Sequence, residues 1–305
     1  MPVYDSVLMK ISDNKIVSPY ILTADIGGSH ITAAICNTGT YDIEEKSIVR
    51  VEVDSKSTAA EIIGNWQSAL KKALSAADVE ITGLGVAMPG PFNYTEGVSY
   101  IKGLNKYEAI YGMDIKSAFG SFLNMDVSVV RFRNDAEATI AGEALAGAGA
   151  GYKKVAGVTL GTGFGSAYST EGITRDLNYG SDSYKETIAD DYLSTRWFQK
   201  RYHELTGNQI PNVKALAAMA SNDNHAIQVF NEFAANMADF LKNPLQQLSP
   251  DVLVLCGNIT KAANYFLPQL TQYLPAITIQ TALLGEKAAL IGASALFTNT
   301  NIIQS

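Results

Sequence analysis

Two glycine-rich turns, one in each half of the chain, constrain this sequence more than any other feature. The first, Gly27-Gly28-Ser29, lies between the apolar segments 20–26 (YILTADI) and 31–36 (ITAAIC). The second, residues 161–165 (GTGFG), follows the apolar segment 155–160 (VAGVTL) and leads into residues 166–169. Short apolar segments bounded by glycine are typical of buried strands joined by tight turns. The sequence therefore predicts two glycine-tipped β-hairpins.

Both turns are candidates for phosphate binding, because backbone amides that no side chain shields can cradle phosphate oxygens. Either turn alone is explained at least as well by the needs of a tight hairpin. Two such turns, each after a buried strand, favour a polyphosphate ligand. The sequence contains neither the P-loop pattern GxxxxGK[ST] nor the dinucleotide pattern GxGxxG, and its second turn continues into a strand. A P-loop is therefore excluded and a dinucleotide fold is disfavoured.

Predicted strands and helices alternate along the rest of the chain. Thr58 and Glu61 form a capping-box pattern at the start of a helix. Periodicity and end signals predict further helices at residues 136–146, 190–205 and 286–297, the last one amphipathic, and a long helix through Ile227 and Leu241. Further strands are predicted at residues 47–53, 81–88, 127–132 and 251–256. The alternation occurs twice, which predicts an α/β fold of two lobes around a cleft.

Two aspartates lie where this fold would place chemistry. Asp25 ends the first strand, where its carboxylate could orient Mg²⁺ directly or through water; the alternative is an Asx turn that caps its own backbone. Asp135 follows a strand and opens a helix, so its carboxylate could accept a proton from a hydroxyl that attacks a phosphoryl group. Asn134 and Asp135 are also good helix caps, and capping is the simpler interpretation of the pair.

Composition and charge exclude other classes of protein. The formal net charge of −7 over 305 residues, without a basic cluster, does not suit nucleic-acid binding. Cys36 and Cys256 each lie in an apolar segment, so a disulfide framework and a zinc cluster are not expected. The first twenty residues do not resemble a signal peptide, and no apolar stretch approaches the ~20 residues that span a bilayer. We expect a soluble cytoplasmic protein without a membrane partner.

Six segments together resemble the ROK family (repressor, open reading frame, kinase). In chain order they are ADIGGSHITAAI (24–35), GVAMPGPF (85–92), NDAEATIAGEAL (134–145), LGTGFGSA (160–167), LCGN (255–258) and AALIGASALF (288–297). Each motif is weak alone, but the series covers almost the whole chain. The resemblance implies two ribonuclease-H-like lobes of the actin-like, sugar-kinase ATPase type that close over ATP. It implies a smaller N-terminal lobe at residues 1–133 plus 286–305 and a larger C-terminal lobe at residues 134–285.

The resemblance also assigns positions. It places the first phosphate motif at Asp25, Gly27, Gly28 and Ser29, the second at Gly161, Thr162, Gly163 and Gly165, and the adenosine-side turn at Gly257 and Asn258. It makes Asp135 the general base beside a sugar-contacting Asn134. On the sugar side of the first lobe it suggests Gly90, where backbone would approach the ligand, and Asn105, for which a turn-forming role is an equal alternative.

One region departs from the family pattern. Most ROK kinases carry Glu-x-Gly-His and a cysteine-rich zinc motif after the second phosphate turn, whereas residues 173–197 here contain neither cysteine nor histidine. We therefore expect no zinc site. By register, Tyr184 stands where the histidine would be and Asp190 where the glutamate that closes the zinc motif would be, so both are candidate sugar contacts. A tyrosine can hydrogen-bond there but cannot titrate near neutral pH as histidine does.

The leading interpretation is an ATP- and Mg²⁺-dependent kinase of a hexose or hexose derivative, similar to ROK glucokinases. A non-catalytic sugar- or nucleotide-binding homologue is the alternative, because the zinc region is altered. A transcriptional regulator of sugar metabolism is least favoured, since the first strand is predicted to begin near Tyr20, which leaves too little chain for a DNA-binding helix-turn-helix. Homodimers are common in the family, so a dimer is possible here.

Overall fold

The computed structural model describes residues 18–298, which form two five-stranded β-sheets with helices packed on both, and two small two-stranded sheets. The elements of the first half are β1 (Tyr20–Ile26), β2 (His30–Asn37), β3 (Val49–Glu52), α1 (Ala59–Ser75), β4 (Ile81–Met88), β5 (Phe92–Asn93), β6 (Val98–Ser99), α2 (Ile115–Leu123), β7 (Val130–Asn134) and α3 (Asp135–Ala146).

The elements of the second half are β8 (Lys154–Leu160), β9 (Phe164–Thr170), β10 (Ile173–Asp176), β11 (Ser183–Tyr184), β12 (Thr187–Ile188), α4 (Ala189–Leu193), α5 (Thr195–Thr206), α6 (Val213–Met219), α7 (Asn224–Leu248), β13 (Val252–Cys256), α8 (Ala263–Tyr273), β14 (Thr278–Thr281) and α9 (Lys287–Ser294). Short 3-10 turns lie at Glu45–Ser47, Glu108–Ile110, Val127–Val129, Tyr179–Ser181, Asn258–Ala262 and Ala295–Phe297.

The two five-stranded sheets have the same topology. The first has the order β3-β2-β1-β4-β7 and the second has the order β10-β9-β8-β13-β14. In each sheet the first three strands are antiparallel neighbours, and the last two join in parallel. Each sheet also has its own large apolar core, the first beneath α1 and α2 and the second beneath α5, α7 and α8. The predicted twofold α/β architecture is confirmed.

Two helices connect the halves. α3 follows the first sheet in sequence but packs on β8, β9 and β10, whereas α9 follows the second sheet but packs on β1, β2 and β4. The helices also contact each other. A Cβ on Gly142 would lie 2.0 Å from the carbonyl oxygen of Ala288, and one on Gly292 would lie 1.8 Å from that of Ala138. The backbones therefore touch at this crossing, and only glycine fits there. The exact lobe bounds drawn from the sequence stay a prediction.

Local sequence signals explain several helix ends. Thr58 and Glu61 form the predicted capping box, in which the Thr58 side chain accepts from the Glu61 amide and the Glu61 carboxylate accepts from the Thr58 amide. Gly207 ends α5 with a positive φ of 73°. The side chain of Ser194, between α4 and α5, is buried and the residue is extended, with φ of −124° and ψ of 174°.

Three predicted element bounds and the predicted character of one helix are corrected by the structure. The single helix predicted at residues 190–205 is two helices that meet at Ser194, and the strand predicted at residues 127–132 starts only at Val130. The second glycine turn ends at residue 163, because Phe164 already pairs with Leu160 in the β8–β9 ladder. The last helix is not amphipathic: residues 288–294 are all buried, since α9 lies between the first sheet and α3.

Candidate active site

The first glycine turn is closed by its own backbone and supported from below. The Gly27 amide donates to the His30 carbonyl oxygen at 2.9 Å, which leaves Gly28 and Ser29 exposed at the tip. No heavy atom lies within 4 Å of a Cβ placed on Gly28, so a ligand can approach this backbone. Beneath the turn, the hydroxyl of buried Tyr107 donates to the Gly27 carbonyl oxygen at 2.5 Å.

The second turn has similar properties at Gly161 but not at Gly165. The Gly161 amide donates to the Gly163 carbonyl oxygen at 3.0 Å, and the space around a Cβ on Gly161 is open. Gly165 lies within β9, opposite Thr159 in the ladder, and a Cβ there would lie 2.4 Å from the Cβ of Ala136. Its assignment to the phosphate turn is therefore not supported, because glycine is needed at this position for the close approach of α3.

Asp25 lies near the end of β1 and is partly buried. Several charged side chains affect the pKa of its carboxyl group. Burial, and after it the negative charges of Asp135 and Glu286, raise the pKa of its carboxyl group to about 7, and the positive charge of Arg50 acts in the opposite direction. The negative charge of Asp135 contributes to this shift, which indicates that the two carboxylates interact, although one is on the first sheet and the other begins α3.

Asp135 is the first residue of α3, and its side chain is partly buried. Burial raises the pKa of this carboxyl group, while the hydrogen bond from the Ala136 amide and the positive charge of Lys106 lower it and Asp176 raises it. The Ala136 amide donates to Asp135 Oδ1 at 2.9 Å. A carboxylate whose pKa is raised is a stronger base, and is therefore suited to accept a proton from a hydroxyl group.

Asn134 shows the capping role that the sequence left open. Its Oδ1 accepts from the amides of Ala136 at 2.9 Å and Glu137 at 3.1 Å. Its Nδ2 donates to the hydroxyl of Tyr94 at 3.2 Å, and that hydroxyl donates to the Met88 carbonyl oxygen at 3.1 Å. These bonds fix the start of α3, and therefore the direction of Asp135; contact between Asn134 and sugar stays a prediction.

Gly90 and Asn105, the two candidates on the sugar side, lie in different surroundings. Gly90 precedes the cis Gly90–Pro91 peptide bond after β4, and a Cβ on it would lie 3.2 Å from the Tyr94 hydroxyl oxygen, so it adjoins the Asn134 network. Asn105 is exposed and has a positive φ of 56°, and its amide donates to Glu108 Oε1 at 3.0 Å. The backbone of Asn105 therefore has the turn conformation that the alternative interpretation predicts.

Tyr184 and Asp190 both bond to other parts of the protein, and their role as sugar contacts stays a prediction. The Tyr184 ring is buried, and its hydroxyl donates to Asp239 Oδ2 at 3.0 Å on α7. Asp190 lies at the second glycine turn, where its Oδ1 accepts from the Phe164 amide and lies 3.0 Å from the position of a Cβ on Gly163. Register alone could not give either location, because both contacts join segments far apart in sequence.

The adenosine-side residues lie against the second turn. Gly257 has a φ of 88°, and a Cβ on it would lie 2.4 Å from the carbonyl oxygen of Leu160, which directly precedes Gly161. Beside it is a cavity of about 490 Å³ whose lining includes Thr195, Asn212, Asn258 and Lys261. Cavities of this size accommodate small ligands.

A metal ion at this site would need ligands from outside the protein. Among residues 18–298 no group of three or more histidine, cysteine, aspartate or glutamate side chains is arranged to hold a metal. Mg²⁺ is commonly bound by one or two carboxylates together with substrate phosphates. Asp25 fits that description, because it is a carboxylate at the end of β1, close to the first glycine turn.

The structure also adds residues that the sequence analysis missed. Tyr107 supports the first turn, Tyr94 joins Asn134 to β4, and Lys106 acts electrostatically on Asp135. None of them lies in a recognisable motif, so their roles follow from tertiary contacts.

Within the described part of the chain, no helix combines the length and apolar character needed to cross a membrane.

Comparison with known proteins agrees with this architecture. The model of the ROK family matches residues 21–176 and 186–300. The N-acetyl-D-glucosamine kinase of Pasteurella multocida is 26% identical over 316 residues, with 90% of this chain and 97% of that protein covered.

Two solved structures have a similar fold. The ROK hexokinase of Thermus thermophilus has a TM-score of 0.75 at 20% identity and covers 90% of this chain and 97% of its own. A ROK family glucokinase of Streptomyces griseus, in complex with glucose and AMPPNP, has a TM-score of 0.71 at 20% identity and covers 91% of this chain and 98% of its own.

The repeated sheet topology and the paired glycine turns define a two-lobe α/β protein with the fold of sugar kinases. The family match over most of its length makes the identification more specific. This chain belongs to the ROK family.

Proposed function

We propose that this protein transfers the γ-phosphoryl group of ATP to a hydroxyl group of a hexose or hexose derivative, with Asp135 as the general base. The observation that carries the proposal is the shared electrostatic site of Asp25 and Asp135, in a fold whose two glycine turns offer open backbone. The kinase names of the relatives support the reaction class.

Asp135 would accept the proton of the attacking sugar hydroxyl. Its pKa is raised by burial, which makes the carboxylate a stronger base than an exposed aspartate. The bonds of Asn134 to the first amides of α3 hold the base in one direction. Phosphoryl transfer asks for positioning and electrostatic stabilisation more than for covalent chemistry, so this rigidity matters.

The nucleotide would be held by backbone from both halves. The amides of the first turn at Gly28 and of the second turn at Thr162 and Gly163 would contact the phosphates, and the cavity beside Asn258 would receive the adenosine. Asp25 would hold Mg²⁺ directly or through water, and the ion would neutralise phosphate charge when bound. Closure of the halves about α3 and α9 would exclude water from the transfer.

The test is Asp135→Asn, assayed for ADP release with a panel of hexoses and N-acetylhexosamines. Asparagine has the same size and can keep the bond from the Ala136 amide, so we expect a folded protein that binds ATP normally. We expect kcat to fall by about 10²- to 10⁴-fold, the usual contribution of a positioned base. Asp176→Asn is the matched control, because it removes a nearby negative charge without removing the base.

Two results would contradict the proposal. Turnover by Asp135→Asn within tenfold of the unmodified protein would reject the assigned base. No turnover of any sugar by the unmodified protein, together with measurable binding of ATP or sugar, would favour the non-catalytic alternative. N-acetyl-D-glucosamine belongs first on the panel, since a curated relative is named for it.

A further inference from the structure

The second glycine turn is held at both ends by one short segment, residues 189–196, which covers α4 and the start of α5. We propose that Asp190 and Thr195 are positioning residues that fix the backbone of this turn for the phosphates of ATP, with Arg196 holding Asp190 in place. The inference rests on the proposed function for its ligand, but its test measures binding and does not need turnover.

Thr195 fixes the first end of the turn. Its amide and its hydroxyl both donate to the carbonyl oxygen of Gly161, each at 2.9 Å. The Gly161 carbonyl and the Thr162 amide belong to the same planar trans peptide group, so they point in opposite directions. Two donors on one side of this peptide group therefore direct the Thr162 N–H to the other side, away from α5.

Asp190 fixes the second end. Its Oδ1 accepts from the Phe164 amide, which shares a peptide group with the Gly163 carbonyl. That carbonyl is thereby directed toward the Gly161 amide, which donates to it at 3.0 Å and closes the turn. A Cβ on Gly163 would lie 3.0 Å from the same carboxylate oxygen, so a side chain at this position would disturb the contact.

Arg196 balances the negative charge of the Asp190 carboxylate, which lies next to the proposed phosphate site. Its Nη2 forms an ion pair with Asp190 Oδ2 and lies 3.4 Å from Asp191 Oδ1. An unpaired carboxylate at the turn would repel phosphate, whereas a paired one keeps its acceptor for the Phe164 amide. Asp191 is exposed, and its carboxylate faces the Arg196 guanidinium.

The break between α4 and α5 is what makes the arrangement possible. In one continuous helix the amide of Thr195 would bond within the helix. The extended residue Ser194 interrupts that pattern and frees the Thr195 amide for Gly161, while Asp190 stays on the preceding helix. The same Thr195 also lines the cavity beside Asn258, so the segment joins the phosphate turn to the proposed adenosine pocket.

The experiment measures nucleotide binding to the full-length chain by calorimetry, with the non-hydrolysable analogue AMPPNP and with adenosine. Thr195→Val removes one hydrogen bond and keeps the amide, so we expect AMPPNP affinity to fall about 2- to 10-fold. Thr195→Ser keeps the hydroxyl and should restore affinity to within about twofold. Asp190→Ala should weaken AMPPNP binding more than tenfold and leave adenosine binding unchanged, because Asp190 does not line the adenosine cavity.

Asp191→Ala is the matched control, since it removes a neighbouring carboxylate that also faces Arg196 but does not touch the turn. Its AMPPNP affinity should equal that of the unmodified protein. Unchanged AMPPNP affinity in both Thr195→Val and Asp190→Ala would overturn the proposal, and so would an equal loss of adenosine affinity in Asp190→Ala. If Asp190→Ala does not fold, the valine and serine variants of Thr195 decide.

The outcomes separate this proposal from the proposed function. Weakened AMPPNP binding in a protein that phosphorylates no sugar would support the positioning residues and reject the kinase. Normal AMPPNP binding in all variants of an active sugar kinase would do the reverse. In an active enzyme, the effect should appear in the KM for ATP, while the KM for sugar stays within about twofold, because no sugar contact is altered.

Discussion

Replacing Asp25 by asparagine should make the protein more stable above neutral pH, although it removes a residue of the proposed site. The pKa of this carboxyl group is about 7 in the folded protein, compared with 3.8 for the reference value. Between these two values the folded chain holds a proton that the unfolded chain has lost. The contribution of Asp25 to the free energy of unfolding is therefore largest below pH 3.8. It decreases as pH rises to 7, where the group also ionises in the folded protein.

The size of the effect follows from the same two values. Each pKa unit corresponds to about 1.4 kcal/mol. A shift of about three units therefore costs the folded state about 4 kcal/mol once Asp25 is ionised in both the folded and the unfolded protein. Asparagine has the same shape and no ionisation, so this cost is absent from the variant.

The assay is urea unfolding of the ligand-free protein with a chelator present, at pH 5 and pH 8. Between these pH values the unmodified protein should lose about 2.6 kcal/mol more unfolding free energy than Asp25→Asn loses, because only the part of the pKa difference between pH 5 and pH 7 is titrated in this window. Asp182→Asn, which changes an exposed carboxylate, should behave like the unmodified protein. Equal losses in the unmodified protein and in Asp25→Asn would refute the argument that burial and Asp135 hold this carboxyl group protonated.

Two further predictions concern the first turn and the helix crossing. Tyr107→Phe removes the hydroxyl that donates to Gly27 and keeps the ring against Trp66, so it should lower the free energy of unfolding by about 1 kcal/mol and weaken AMPPNP binding about 2- to 10-fold. Unchanged AMPPNP affinity by calorimetry would show that this bond does not shape the turn. Gly292→Ala places a Cβ 1.8 Å from the Ala138 carbonyl oxygen, so it should cost about 1–3 kcal/mol in urea unfolding. The control Gly64→Ala, in α1 with no atom within 4 Å, should instead stabilise by about 0.5–1 kcal/mol, and equal effects of the two alanines would contradict the account of the crossing.

Several features of the site were predictable because they depend on neighbours in the sequence. Each glycine turn lies between two strands only a few residues away, and the apolar pattern of those strands is visible without a fold. The cap at Asn134 involves amides two and three residues later, so its sequence pattern is sufficient to predict it.

The contacts of other residues could not be predicted because their partners lie far along the chain. Tyr107 and Gly27 are 80 positions apart, and Thr195 and Gly161 are 34 positions apart. Tyr184 is a plausible sugar contact by register, but its hydroxyl bonds to Asp239, 55 positions away. Gly165 fits the glycine pattern of the turn, yet its lack of a side chain serves the approach of Ala136.

The sequence by itself therefore determined the two hairpins, the alternation that makes a twofold α/β fold, and the identity of the carboxylates near the first strand and α3. These depend on backbone preferences and short-range hydrogen bonds, which act over a few residues. Only the tertiary structure decided which segment holds each turn, where the 190–205 helix breaks, and how Asp25 comes under the charge of Asp135. Those outcomes depend on which surfaces pack together, because burial and nearby charge are properties of the folded chain and not of any local stretch of it.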